Sequence, residues 1–223
     1  MLAPQVSDGG LMRRLAVGDI LASTEPPIPA TDTTNATLAL TAAMLLNSTV
    51  YCRNPAGVST DTFPTADALI TALSGGIGAA PGSLTGLTFR WMMVNLSANV
   101  ITGAVTANTG VTLTRGSVAA GAAGSAVGSK TFLITITNGT PLRTVAGVVA
   151  TNGSAVMTGF SATDLANLSV GQIVTNAVAN LQGQTIIGIN AANGSVTMSG
   201  NANATGAISP TFSPTYTVVG LSL

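Results

Sequence analysis

Histidine is missing from this sequence of 223 residues, cysteine occurs once, and charged side chains make up only 6% of it. Without histidine, the usual base of a serine or cysteine hydrolase and the usual zinc ligand sets are out of reach. The lone Cys52 cannot close an internal disulfide, and between Tyr51 and Arg53 it reads as a small buried hydrophobe. Aromatic residues are 4% of the chain, so its core must be built mostly from Val, Ile, Leu, Ala and Met. An ordinary soluble domain is about one-quarter charged. The surface here must instead be Thr, Ser, Asn and Gly.

Long apolar runs are also missing. Mean hydropathy is +0.54, yet Gly, Asn, Ser or Thr interrupts every window well before the ~20 residues of a spanning helix. Arg13-Arg14 before Leu15-Ala-Val resembles the start of a leader, but Gly18-Asp19 cuts the apolar stretch, and no export signal is read. The seven carboxylates include Asp61 and Asp67 around Pro64, a spacing that a turn and a helix start explain better than a glycosidase pair. Gly75-Gly76-Ile-Gly78 lacks the pattern and the lysine of a phosphate loop. The expectation is a protein without an active site, cofactor or metal.

Formal net charge is zero, which removes the main electrostatic reason to bind nucleic acid. Six of the seven acidic residues (Asp8, Asp19, Glu25, Asp32, Asp61, Asp67) precede residue 68, whereas Arg90, Arg115, Lys130 and Arg143 follow. Two readings stay open: scattered solvated residues, or an acidic N-terminal part that docks on a basic partner.

What the sequence does hold is short β-prone runs. Leu87, Phe89, Trp91 and Met93 share one face of a strand, with Arg90 on the other; Phe132, Ile134 and Ile136 alternate with Leu133, Thr135 and Thr137. Runs at Val100 to Val105 and Val111 to Thr114 lie between them, and together they predict an antiparallel sheet layer whose core includes Phe89, Trp91, Met93, Phe132, Ile134 and Ile136. Thr37 to Leu46 predicts a short helix, Asn47 to Arg53 a strand, and Pro64 to Leu73 a second helix stopped by Ser74-Gly75-Gly76. Gly116 to Ser129 reads as an exposed low-complexity connection. After Asn138 the texture changes to short strands between Asn-Gly and Gly-Gln turns, with Asn193-Gly194 the strongest hairpin signal.

The domain reading is an extended N-terminal arm at 1–36, a core domain of 37–147 with 211–223, and a small inserted β module at 148–210. The arm holds Pro4, Gly9-Gly10, Pro26-Pro27 and Pro29, with Leu11-Met12 and Ile20-Leu21 as isolated apolar pairs. Such a segment cannot pack on itself.

Thr41-Ala-Ala-Met-Leu-Leu46, Tyr51-Cys-Arg-Asn-Pro-Ala-Gly57, Asp61-Thr-Phe-Pro-Thr-Ala66, Phe89 to Asn95, Asn99-Val-Ile101, Thr109-Gly-Val-Thr-Leu113 and Phe132-Leu-Ile-Thr-Ile-Thr-Asn138 resemble a family of small structural proteins of tailed bacteriophages, some of them capsid decoration (cement) proteins. Met157 to Thr205 is similar to a β module of phage fibre and capsid-surface proteins. The resemblance implies a β-sandwich or jelly-roll-like fold. It also implies a virion protein, made in the host cytoplasm, that bridges subunits of the major capsid protein, and a homo-oligomer with a trimer favoured. Candidate capsid contacts are Leu11, Met12, Arg13, Arg14, Asp19 and Ile20, and neither nucleic acid nor membrane is an expected partner. The alternative is a tail-fibre or spike component that binds a host surface glycan; a secreted adhesin is disfavoured by the leader reading.

Overall fold

The computed structural model describes residues 31–33, 37–47, 49–121 and 128–221. Leu11, Met12, Arg13, Arg14, Asp19 and Ile20, and nearly all of the arm at 1–36, lie outside the described residues.

The chain is mainly β. A six-stranded sheet runs in the order β1 (Thr31–Asp32), β3 (Val50–Arg53), β5 (Thr88–Asn95), β9 (Gly128–Asn138), β18 (Thr215–Leu221), β7 (Val111–Thr114). A four-stranded sheet holds β2 (Leu38–Ala39), β4 (Ser59–Thr62), β6 (Ile101–Ala104) and β8 (Ser117–Val118) in that order. The expected antiparallel layer is in fact mixed. β5, β9 and β18 pair antiparallel, but β1 with β3, β3 with β5, and β18 with β7 run parallel. A parallel pair needs a crossover, and the chain from β3 to β5 supplies one through β4 and a helix.

Three α-helices are described: α1 (Ala42–Leu46), α2 (Ala66–Ile77) and α3 (Ala162–Ala166). The first is half as long as the sequence predicts, because Leu38 and Ala39 pair with Asp61 and Thr62 of β4, and Thr41 caps the helix with its hydroxyl on the Met44 N–H. The second starts behind the Thr65 cap and buries Ala66, Leu69, Ile70 and Leu73. It does not stop at Ser74-Gly75-Gly76 but ends at Gly78, whose left-handed backbone (φ 63°) closes it. Burial of the apolar stripe outweighs the ~1 kcal/mol that each interior glycine costs. The stretch read as an exposed connection also contributes structure, for Ser117–Val118 pairs with β6 and Val118 is buried.

Between the two sheets and α2 lies one hydrophobic core. Phe89, Trp91, Met93, Phe132, Ile134 and Ile136 are all in it. Trp91 anchors the centre: its ring lies 5.8 Å from Phe132, 6.0 Å from Phe63 and 5.9 Å from Tyr51, and its indole N–H donates to the Met44 carbonyl. Tyr216 is buried and donates its hydroxyl to the Pro64 carbonyl, 2.6 Å away, which ties β18 to the start of α2. Burial pushes the Tyr216 phenol well above its ordinary pKa.

A second core gathers residues from Val145 to Phe212. It is enclosed by a three-stranded sheet, β10 (Arg143–Thr144), β17 (Thr211–Ser213) and β13 (Ile173–Val174), and by a five-stranded sheet. The latter runs β14 (Ile186–Asn190), β15 (Ser195–Met198), β12 (Val156–Thr158), β11 (Val148–Ala150), β16 (Gly206–Ile208). Asn193-Gly194 falls in the β14 to β15 connection, with Gly194 at φ 58°. No helix among the described residues is long and apolar enough to cross a membrane.

Candidate functional site

Charged side chains are scarce, so where they go is informative. Arg53, at the end of β3, points from the six-stranded sheet into the four-stranded one. Its Nε and Nη2 donate to the two carboxylate oxygens of Asp61 at 2.8 and 3.0 Å, Nη2 also donates to Ser59 Oγ at 2.9 Å, and Nη1 reaches Asp32 at 3.0 Å. The Tyr51 hydroxyl donates to the other Asp32 oxygen at 2.7 Å. Arg53 and Asp61 are 0% exposed.

A Tyr, Asp, Arg, Ser, Asp set resembles catalytic equipment in composition, but these groups are committed to one another. Burial works against the Arg53 charge, and the hydrogen bonds and charge of Asp61 more than offset it, so its pKa rises. Burial, then the bond to Asp32, holds the Tyr51 phenol well above its ordinary value. The cluster is a staple: a bidentate pair joins the sheets and Asp32 pins β1 to the edge of β3. Asp32 and Asp61 are therefore neither scattered solvated residues nor an open acidic surface. Their shared partner was beyond sequence reasoning, which saw only a one-sided run of carboxylates; the signal available was Ser59 and Asp61 on one face of a strand.

Next to the staple the molecule ends in an apolar pole. The loop after β3 and the loop after β5 are tied together where Leu96 N–H donates to the Arg53 carbonyl, Ser59 N–H to the Val100 carbonyl, and Asn99 Nδ2 to the Pro55 carbonyl. Asn95, buried below, donates to Asn99 and Ala119 carbonyls and accepts from Ser97. On this frame Val58 is 73% exposed, and Leu96 and Val100 are each 42% exposed. Exposed apolar side chains are not confined to this end, for Leu142, Val149, Val156, Val170 and Ile187 also face water beyond Asn138.

The second body leaves from the opposite end. Asp32, Arg53, Asn95 and Gly128 form one cross-strand row, whereas Asn138 and Thr215 face each other at the far end of β9, about 33 Å away at 3.3 Å per residue. There Asn138 Nδ2 donates to Ser169 Oγ and the Val170 carbonyl, both at 2.8 Å, and Gln172 Nε2 to the Pro141 carbonyl at 3.1 Å. An open cleft of about 330 Å³ lies beside this junction, lined among others by Asn108, Thr112, Thr137, Thr185 and Thr215. Among the described residues lining it, none is charged or aromatic. Its walls offer threonine hydroxyls and an asparagine amide, with no ring on which a sugar could stack.

Arg143 and Asp164 form a further ion pair, 2.6 Å apart. The Arg143 hydrogen bond, with that of Ser161, holds the Asp164 carboxyl below the usual aspartate range. Cys52 is half-buried on the outer side of the six-stranded sheet, not in the core, because β3 turns Tyr51 and Arg53 inward. Arg90 is exposed beside the fully buried Trp91. No protein-family model, curated protein or solved structure matches the chain.

Proposed function

We propose that the chain is a capsid decoration protein of a tailed bacteriophage, a structural component without catalysis that binds the outside of the assembled head and bridges copies of the major capsid protein. The first body then serves as a stiff two-layer β-sandwich and the second as a projecting module, with the protein working as a homotrimer in the virion. The observation that carries this reading is the layout of the first body: Val58, Leu96 and Val100 are held exposed on tied loops beside Arg53 and Asn95 at one end, and the second body emerges at Asn138 and Thr215 at the other. A protein that sits on a shell needs one end to bury and one to expose. Uncharged contact surfaces lose less on desolvation than charged ones, and ~800 Å² on each partner makes a specific contact. The arm residues Leu11, Met12, Arg13, Arg14, Asp19 and Ile20 would add to that contact.

The test is mass spectrometry of heads and tails separated from one virion preparation. Recovery with heads at a fixed ratio to the major capsid protein supports the reading; recovery with tails alone rejects it. The second reading is a tail-fibre component that binds a host glycan, for which the cleft supplies hydroxyl and amide groups but no aromatic ring.

A further inference from the structure

Asn-Gly occurs three times in the chain, at Asn138-Gly139, Asn152-Gly153 and Asn193-Gly194. In this dipeptide the backbone nitrogen reaches the preceding side chain with least obstruction, because glycine has no Cβ. Stripped of its proton by hydroxide, the glycine nitrogen attacks the asparagine Cγ. The N–Cγ bond forms, the Cγ–Nδ2 bond breaks, and ammonia leaves with a proton from water. Water then opens the cyclic imide at either carbonyl, giving aspartate or isoaspartate. Water is the only co-reactant, so the rate is set by whether the nitrogen and the carboxamide can meet.

The fold holds the three pairs differently. Asn138 is 3% exposed; its Nδ2 donates to Ser169 Oγ and the Val170 carbonyl, its Oδ1 accepts from the Thr140 N–H, and the Gly139 N–H donates to Thr85 Oγ1 at 2.9 Å. Carboxamide and nucleophile are both pinned there, away from water. Asn152 and Gly153 are exposed, but their N–H groups donate at 2.9 Å to Thr205 Oγ1 and the Ala202 carbonyl, which stitches their turn to a distant segment. Asn193 is exposed in the β14 to β15 connection, and among the described residues its carboxamide has no hydrogen-bond partner. Its own N–H reaches only Asn190 Oδ1, at 3.3 Å, and the Gly194 N–H only the Ala191 carbonyl, at 3.4 Å. Both are longer than an ordinary N–H···O bond, and both lie within the hairpin itself. Opening this turn therefore disturbs no other segment. The Gly194 carbonyl still accepts from the Phe160 N–H at 3.1 Å, so the strand ends stay anchored while the reacting groups move.

We propose that Asn193 is a self-modification site, converted to aspartate and isoaspartate in the folded protein, while Asn138 at the junction of the two bodies is spared. The product places a carboxylate in the stretch from Leu165 to Leu223, which has no charged side chain, and the isoaspartate form also lengthens the backbone of the turn. Neither a head nor a second copy is needed, so the proposed function can fail while this holds. The full chain is incubated folded in mildly alkaline buffer made with heavy-oxygen water, and a parallel sample is held in urea. Samples taken at intervals are digested at acid pH, and the Asn-Gly peptides are compared by mass spectrometry, with isoaspartate read separately by an isoaspartyl methyltransferase. In the folded sample Asn193 should convert on the order of tenfold faster than Asn152, about what one good hydrogen bond on the nucleophile is worth, and Asn138 should keep its amide. In urea the three rates should converge. Asn193→Ser should keep native Trp91 fluorescence and lose most of the acidic species that isoelectric focusing resolves in the aged wild type. Equal rates at Asn152 and Asn193 in the folded protein would overturn the proposal, as would loss of the Asn138 amide alongside them. So would an Asn193 that stays intact while the urea sample reacts, since the hairpin would then be a shield.

Discussion

Asn138 and Thr215 are cross-strand partners where β9 meets β18, so the chain departs from the first body and returns to it at adjoining positions. The second core between them draws only on Val145 to Phe212. Insertion is tolerated where chain ends lie close together. Replacing residues 139–214 with a short Gly/Asn turn should therefore leave a first body that unfolds cooperatively and keeps the fluorescence of buried Trp91. An insoluble or molten product would show that the two bodies fold as one.

The staple gives a second prediction. Asp61→Ala strands the Arg53 guanidinium in a site with no exposure, and breaking a buried pair costs about 3–5 kcal/mol. Asp32 is 20% exposed and holds Arg53 through a single nitrogen, so Asp32→Ala should cost less, about 1–3 kcal/mol. Urea unfolding followed by Trp91 fluorescence gives both values. An equal loss from the two substitutions would refute the ranking.

Gly110 sits at φ 77°, and a Cβ there would run into the Pro214 carbonyl oxygen and crowd Ala66. Gly110→Ala should destabilise by roughly 1–3 kcal/mol through left-handed strain and displacement of the start of β18. Gly147 has almost the same backbone, φ 75°, with open space around it. Gly147→Ala should cost the smaller amount in the same unfolding assay, since only the strain remains.

Acid should act on the second body through Asp164. Its carboxyl is held below the ordinary aspartate range in the folded state, so the stability it contributes is present above that range, near pH 4, and is lost as pH falls through the depressed folded value. The urea midpoint of the full chain should drop over that interval by more than that of Asp164→Asn. Parallel pH profiles would remove Asp164 from the account.

Parts of this fold were legible because period-two alternation states which side chains go inward: Phe89, Trp91 and Met93 in one strand, Phe132, Ile134 and Ile136 in another. Alternation is silent on direction, so the parallel pairing of β3 with β5 and of β18 with β7 could not be read from it. Leu38 and Ala39 look helical by propensity and become strand only because β4 offers them a partner. The α3 helix did carry a signal, since Ser161 and Asp164 form a capping box. The staple was illegible for another reason: Arg53 and Asp61 meet across two sheets, and charge counts carry no such geometry.

In the proposed role Val58, Leu96 and Val100 meet the shell while the second body points outward. A reconstruction of the assembled head tests it most directly. The account predicts density in which Val58, Leu96 and Val100 lie against the major capsid protein, residues 139–214 project away from it, and each copy touches sister copies about a local axis. An apolar contact of this kind should survive washing in molar salt. Single copies without sister contacts, a second body turned toward the shell, or heads carrying none of this chain would contradict it.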